Sequence, residues 1–306
     1  MGLLPIHRGH FERREGRTTS SETKAVANIR SLGKGENSGL EPISSYPHIW
    51  YDMARPLTTL VRWARAPGVW LTLLLLSAII LMPKAGPIMR WLFPGVPRPV
   101  YTRASFFELT SAHVELVALS SLAAAAIGIG LGIFVTRESG REFAAIVGAI
   151  AAIGQTFPPV AVLALTIPVL GYGAAPAVAA LCLYAIFPVI EATVTGLQAV
   201  PAAVREAAMG MGFAPRNVLW RIELPLAFPF ILAGLRNAVI INIGTAAIGS
   251  AAGALSLGSP IIEGLSASNP AYVLEGAAIV ALLAMAVDRC FALLEDFARP
   301  GETLPK

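Results

Sequence analysis

The chain has 306 residues, 55% of them hydrophobic and 14% charged, with a net charge of +4. A soluble domain of this length carries about 25% charged residues, so the deficit excludes an ordinary globular domain and points to a polytopic membrane protein. The basic residues are spread between apolar runs rather than gathered in one patch, which argues against nucleic acid, and Cys182 and Cys290 have neither zinc-ligand nor disulfide spacing.

Residues 1–66 are rich in Gly, Ser, Arg and Glu and offer few apolar groups to bury, so a solvated, disordered cytoplasmic tail without a cleavable signal is expected. The apolar runs then define six spans: Gly68–Met82, Ala112–Val135, Phe143–Leu170, Ala174–Thr195, Leu226–Gly249 and Ala271–Cys290. The expected fold class is therefore all-α, with about six transmembrane helices. A first helix and its outer loop occupy 67–111, a transmembrane core 112–290, and a short cytoplasmic tail 291–306.

Charge sets the orientation. Basic residues crowd the segment from Arg8 to Arg65, the Arg137–Arg141 loop, the loop with Arg205, Arg216 and Arg221, and the C-terminal end. The opposite side carries Lys84, Arg90, Arg98 and Arg103 and none in its later loops. By the positive-inside rule both termini are cytoplasmic. Gly128-x3-Gly132 provides a small-residue face for close helix contact, either within the chain or between two copies.

The third span is interrupted at Gly154-Gln155-Thr156-Phe157-Pro158-Pro159, where two backbone donors are lost. Broken backbone at membrane depth is tolerated where protein or a cavity surrounds it. Gln155, Thr156, Phe157, Tyr184, Asn237 and Asn242 are accordingly the candidate pathway residues, with a simple packing kink as the competing reading. Ionisable groups inside spans are costly; Glu191 and Arg236 are placed to form an ion pair, as a structural brace or as a gate. Glu115 and Glu275 fall near outer span ends, where interfacial water can reach them.

Between spans four and five lies a short polar segment, 197–225. Pro201 suits a first helical position, the alanines around Arg205 and Glu206 favour helix, and Gly212 suits the left-handed residue that closes one. Pro215 can open a second short helix, ended by Leu224-Pro225 because a residue before proline resists helical geometry. The expected result is a rigid helix–turn–helix along the membrane surface. Ala207, Met209, Met211 and Phe213 would form its apolar side.

Glu206-Ala207-Ala208-x3-Gly212-x9-Ile222-x-Leu224-Pro225 resembles the EAA signature of permease subunits of binding-protein-dependent ABC importers. Further strings are similar to the glycine betaine/carnitine/choline branch: Gln155–Pro159, Pro188-Val189-Ile190, Thr195-Gly196-Leu197, Ile222–Ala227 and Gly234-Leu235-Arg236. The resemblance covers roughly residues 105–290. It implies the type I importer permease fold and a cytoplasmic loop docked in a groove of a separate ABC ATPase. Arg205, Glu206, Ala207, Ala208, Gly212, Ile222, Leu224 and Pro225 would be the coupling residues. It also implies an extracytoplasmic substrate-binding protein, a second permease copy or paralogue, and a bilayer setting. ATP and magnesium would belong to the ATPase, with no cofactor in this chain. The sequence agrees in having no phosphate-binding loop, no paired histidines at ligand spacing and no serine nucleophile elbow. Importers of other small solutes, such as amino acids or sulfonates, and an ion-coupled secondary transporter are the alternatives. The latter calls for paired broken helices, and only one broken span is legible.

Overall fold

The computed structural model describes residues 67–298, and expectations about the segments on either side lie outside the described residues. Apart from a single bridge between Gly173 and Gly253, the described elements are all helical. They are α1 (Pro67–Leu81), α2 (Gly86–Leu92), α3 (Phe106–Thr136), α4 (Ala144–Thr156), α5 (Pro159–Leu170) and α6 (Ala174–Ala199). Then follow α7 (Ala202–Gly210), α8 (Pro215–Val218), α9 (Leu224–Thr245), α10 (Gly258–Ser266) and α11 (Pro270–Ala298).

Local chemistry explains the element ends. Ser105 caps α3 by accepting the Glu108 N–H at 3.1 Å, with the glutamate placed three residues on as in a capping box. Phe157 and Pro158 are both extended (ψ 135 for each), as residues before proline prefer, and Pro159 restarts the chain as α5. The consequence is larger than a kink: α4 and α5 meet at 97°. The segment expected as one interrupted span is thus a pair of half-length helices, and α1 with α2 forms a second bent pair at 81°. Four helices are individually long and apolar enough to cross a membrane: α3, α6, the Pro215–Ala252 helix containing α9, and α11. Counting each bent pair as one span gives six.

The centre of the bundle is α6, whose most extensive neighbours are α3 and α9. Small residues bring these helices together. A Cβ on Gly128 would stand 2.8 Å from Val189, and one on Gly132 would stand 2.7 Å from Thr193. Gly128-x3-Gly132 therefore serves contact within the chain. Gly196 and Gly234 do the same between α6 and α9, against Phe230 and Ala192. Such packing supplies association energy in lipid, where the hydrophobic effect between helices is absent. A larger core of Leu109, Leu116, Leu181, Ile243, Leu257 and Ile279 fills the end of the bundle away from α7. At the other chain end, α11 continues to Ala298, so residues 291–298 are helix rather than tail.

The glycine seams generate a stability prediction. Gly132→Val should destabilise the folded chain by about 1–3 kcal/mol through overpacking against Thr193. Gly130→Val, whose Cβ meets nothing within 4 Å, should be far milder. Thermal unfolding of the two variants in detergent checks the difference.

Candidate functional site

The polar segment between α6 and α9 is built as a capped elbow. Pro201 is extended (ψ 138) and stands just before α7, one position earlier than its expected place inside the helix. Gly212 has φ 87. Its N–H donates to the Met209 carbonyl at 2.9 Å, and the Phe213 N–H reaches the Ala208 carbonyl at 3.2 Å. Those paired bonds are a Schellman closure, and only glycine takes the required left-handed conformation without strain. Ala208 is buried, while Glu206 and Ala207 are exposed. Met209 and Met211 are 51% and 71% exposed, leaving an apolar flank on the outside of the elbow.

The second half of the elbow departs from the sequence expectation. Pro215 does open α8, but Leu224-Pro225 does not close it. Leu224 is helical (φ −63, ψ −43), and α8 runs through a π turn, Leu219–Glu223, directly into α9. A wider i→i+5 turn shifts the bonding register, and Pro225 falls within the first two positions after it. The helix is continuous from Pro215 to Ala252. Ile222 and Leu224 are half-buried and Pro225 is exposed on this continuous rod.

Glu223 holds the elbow together. Its residue is only 2% exposed. The Arg137 Nη1 donates to Oε2 at 2.7 Å, and the Arg205 guanidinium lies 3.7 Å from Oε1. One carboxylate thus joins the end of α3, the middle of α7 and the π turn. Burying it requires those charges, because an unpaired carboxylate away from water is strongly unfavourable. Arg137, Arg141, Gln198 and Arg205 also line a neighbouring cavity of about 200 Å³. The sequence reading missed Glu223 because it occupied the free position of Ile222-x-Leu224. The available signal was a lone acid at the start of an apolar run, facing a loop of arginines.

The pathway candidates divide by burial. Gln155 donates through Nε2 to the Tyr184 carbonyl at 3.1 Å, tying α4 to α6. Thr156 bonds back to the Ile153 carbonyl at 2.8 Å, and its neighbour Phe157 is exposed. Tyr184 is buried and its hydroxyl has no hydrogen-bond partner among the described residues. Asn242 is wholly buried and donates to Ser120 and Ser121 of α3 at 3.1 and 3.0 Å, so it works as an interhelical tie. Asn237 is exposed on α9. His113, also buried, donates from Nε2 to the Ile243 carbonyl at 3.0 Å and strengthens the same seam.

The expected Glu191–Arg236 ion pair does not form. Arg236 instead bonds Asp288 at 2.6 Å and Glu295 at 3.1 Å, both on α11. The reason is azimuth: α6 turns Ala192 and Gly196 toward α9 and Val189 and Thr193 toward α3, leaving Glu191 exposed on a third side. Glu295 was unavailable to the sequence reading, which assigned it to a tail. Glu115 is exposed, but Glu275 is fully buried and does not reach interfacial water. Its Oε2 accepts the Tyr101 backbone N–H at 2.9 Å. Burial, reinforced by the Glu263 carboxylate, raises the Tyr101 phenol above its ordinary pKa.

Glu223→Ala should lower stability by about 1–3 kcal/mol, because two guanidinium groups lose a charged hydrogen-bond partner. Glu206→Ala, at an exposed position on the same elbow, should stay within about 0.5 kcal/mol of wild type. Thermal unfolding and limited proteolysis at the elbow report both.

Comparison with known proteins fits this geometry. Residues 128–299 match the family described as binding-protein-dependent transport system inner membrane component. The chain is 39% identical over 180 residues to the osmoprotectant import permease protein OsmY of Salmonella typhimurium strain LT2, covering 59% of this chain and 76% of that protein. It is 35% identical over 192 residues to the choline transport system permease protein OpuBB of Bacillus subtilis strain 168, covering 63% and 88%. An inward-facing structure of the MetNI methionine ABC transporter superposes with a TM-score of 0.56 at 20% identity, over 61% of this chain and 93% of the matched one. That likeness establishes the type I permease fold, which the sequence resemblance had implied. The chain belongs to the family of binding-protein-dependent transport system inner membrane components, as an integral membrane transport subunit.

Proposed function

We propose that this permease subunit carries a quaternary ammonium compatible solute, such as glycine betaine, choline or carnitine, inward across the membrane. Its driving force comes from a separate ABC ATPase engaged through the 197–225 elbow. The observation that carries the coupling role is the elbow itself: a Schellman-closed helix with an exposed apolar flank, clamped by Glu223 and continuous with a spanning rod. A rigid body of this kind passes displacement on, where a loose loop would absorb it. Glu206, Ala207, Met209 and Met211 offer the docking surface, with Ala208 and Gly212 shaping it.

The solute assignment draws on the relatives, whose names specify osmoprotectant and choline transport; the methionine transporter, at 20% identity, supports the fold alone. The remaining parts follow the family: a substrate-binding protein delivers solute, a second permease completes the membrane unit, and ATP and magnesium act on the ATPase. The charge bias supports a cytoplasmic location for the elbow and both termini.

Reconstitution with a cognate ATPase and binding protein tests the reading. Betaine or choline should stimulate ATP hydrolysis and accumulate in vesicles; stimulation only by an unrelated solute would remove the substrate assignment. Gly212→Pro should reduce uptake at least about tenfold, equivalent to about 1.4 kcal/mol of coupling, because proline fixes φ near −65° where φ 87 is required. Normal uptake by that variant would refute the lever. For orientation, Glu138→Cys should react with an impermeant thiol reagent only from the cytoplasmic side and Leu255→Cys only from outside.

A further inference from the structure

The broken ion pair leaves Glu191 in an unusual place. About 12 Å of helix separates it from the α7 end of α6 at Ala199, so it lies within the spanning length. Its side chain is exposed on the bundle surface, and no basic group pairs with it among the described residues. Thr195 and Gln198, one and two turns further along, are exposed as well. Spacing of four and then three residues puts all three on one face. Facing hydrocarbon, a carboxylate at this depth costs about 2.5–3.5 kcal/mol even on insertion scales. Most exposed positions in the bundle are apolar, as a lipid-facing surface requires. Glu115 on α3 and the face of α6 with Glu191 are the acidic exceptions, and only the α6 face continues as a polar stripe, through Thr195 and Gln198.

Its neighbour shares the exception. Gly234 packs on Ala192, and Gly196 packs beside Ala227 and Phe230, which fixes the levels of the two antiparallel helices. Ala233 then stands level with Glu191, and Asn237 lies one turn further along α9. Both are exposed, on the side of α9 turned away from Asn242 and its α3 partners. On α6, Glu191 likewise points away from Val189 and Thr193, which meet α3. The polar groups of the two helices therefore open onto the same side.

We infer that Glu191, Thr195 and Gln198, with Asn237, form a wetted cation site in the inner half of the translocation path, facing the same surface of a second permease copy across water. This rests on the solute reading above and adds a site and a charge preference to it. A quaternary ammonium has no N–H to donate, so hydrogen-bond recognition is unavailable and charge with shape must suffice. Two carboxylates, one from each copy, attract a net cation such as choline more than a zwitterion such as glycine betaine. Thr195 and Gln198 supply polar groups that hydrate the site without binding tightly. Gln198 ends the stripe beside Arg205 at the elbow cavity, so the path's inner mouth adjoins the coupling element.

The test uses the assembled complex in proteoliposomes. Thr195→Cys should react with a water-soluble thiosulfonate, at a rate that changes on ATP addition, and choline should slow the reaction. Glu191→Gln should lower choline uptake about tenfold relative to glycine betaine uptake, the loss of one charge contact, while Glu191→Asp keeps the wild-type ratio. A Thr195→Cys thiol that reacts only with a lipid-soluble maleimide would overturn the inference and leave the importer reading standing. So would an equal fall in uptake of both solutes by Glu191→Gln. If the wild-type complex imports neither solute, the substrate assignment and the cation preference fall together, while Thr195→Cys labelling still decides whether the face is wet.

Discussion

One buried carboxylate shared between two arginines organises the working end of this molecule. Glu223 lies where three chain segments converge, and without its partners its burial would be strongly unfavourable. Because Arg137 ends α3 and Arg205 sits within α7, satisfying that one charge fixes the elbow against the bundle. The Schellman closure at Gly212 then fixes the turn itself. Neither device uses much apolar surface, which leaves Met209 and Met211 free to meet something else. The proposed docking at this end is thus compatible with stability because polar contacts, not the methionines, hold the loop in place.

The bundle above the elbow is governed by a different rule. In lipid, helices gain little from hiding apolar side chains, so close approach through glycine becomes the main route to specific association. Here α6 places glycine partners against both α3 and α9. Buried polar ties such as Asn242 to Ser120 and Ser121 fix the rotation of the contact. What remains exposed on α6 after two of its sides are committed is a narrow strip, and that strip is polar only toward the elbow.

The sequence made some of this legible and hid the rest for identifiable reasons. Depth along a span is counted from the chain only as well as its ends are known: Glu191 lies in the elbow half of α6, but Arg236 falls at the middle of α9 rather than toward its elbow end. Azimuth cannot be counted without knowing which faces pack, and the pair failed on that point, Arg236 turning to Asp288 and Glu295. Gly212 was readable because a left-handed closure has a near-unique residue requirement. Pro158-Pro159 announced a break, but the rule for residues before proline specifies no angle, and the observed bend is 97°. Pro225 misled because the rule that proline ends a helix assumes ordinary register, and a π turn had already shifted it.

That π turn has a mechanical meaning. It lets the surface helix and the membrane helix become one stiff member from Pro215 to Ala252, about 57 Å long. A shaft anchored near its middle by the α6 seam behaves as a see-saw. Pushing the short arm a little way at the surface swings the opposite arm through a comparable arc at the far mouth, and no intervening joint need bend.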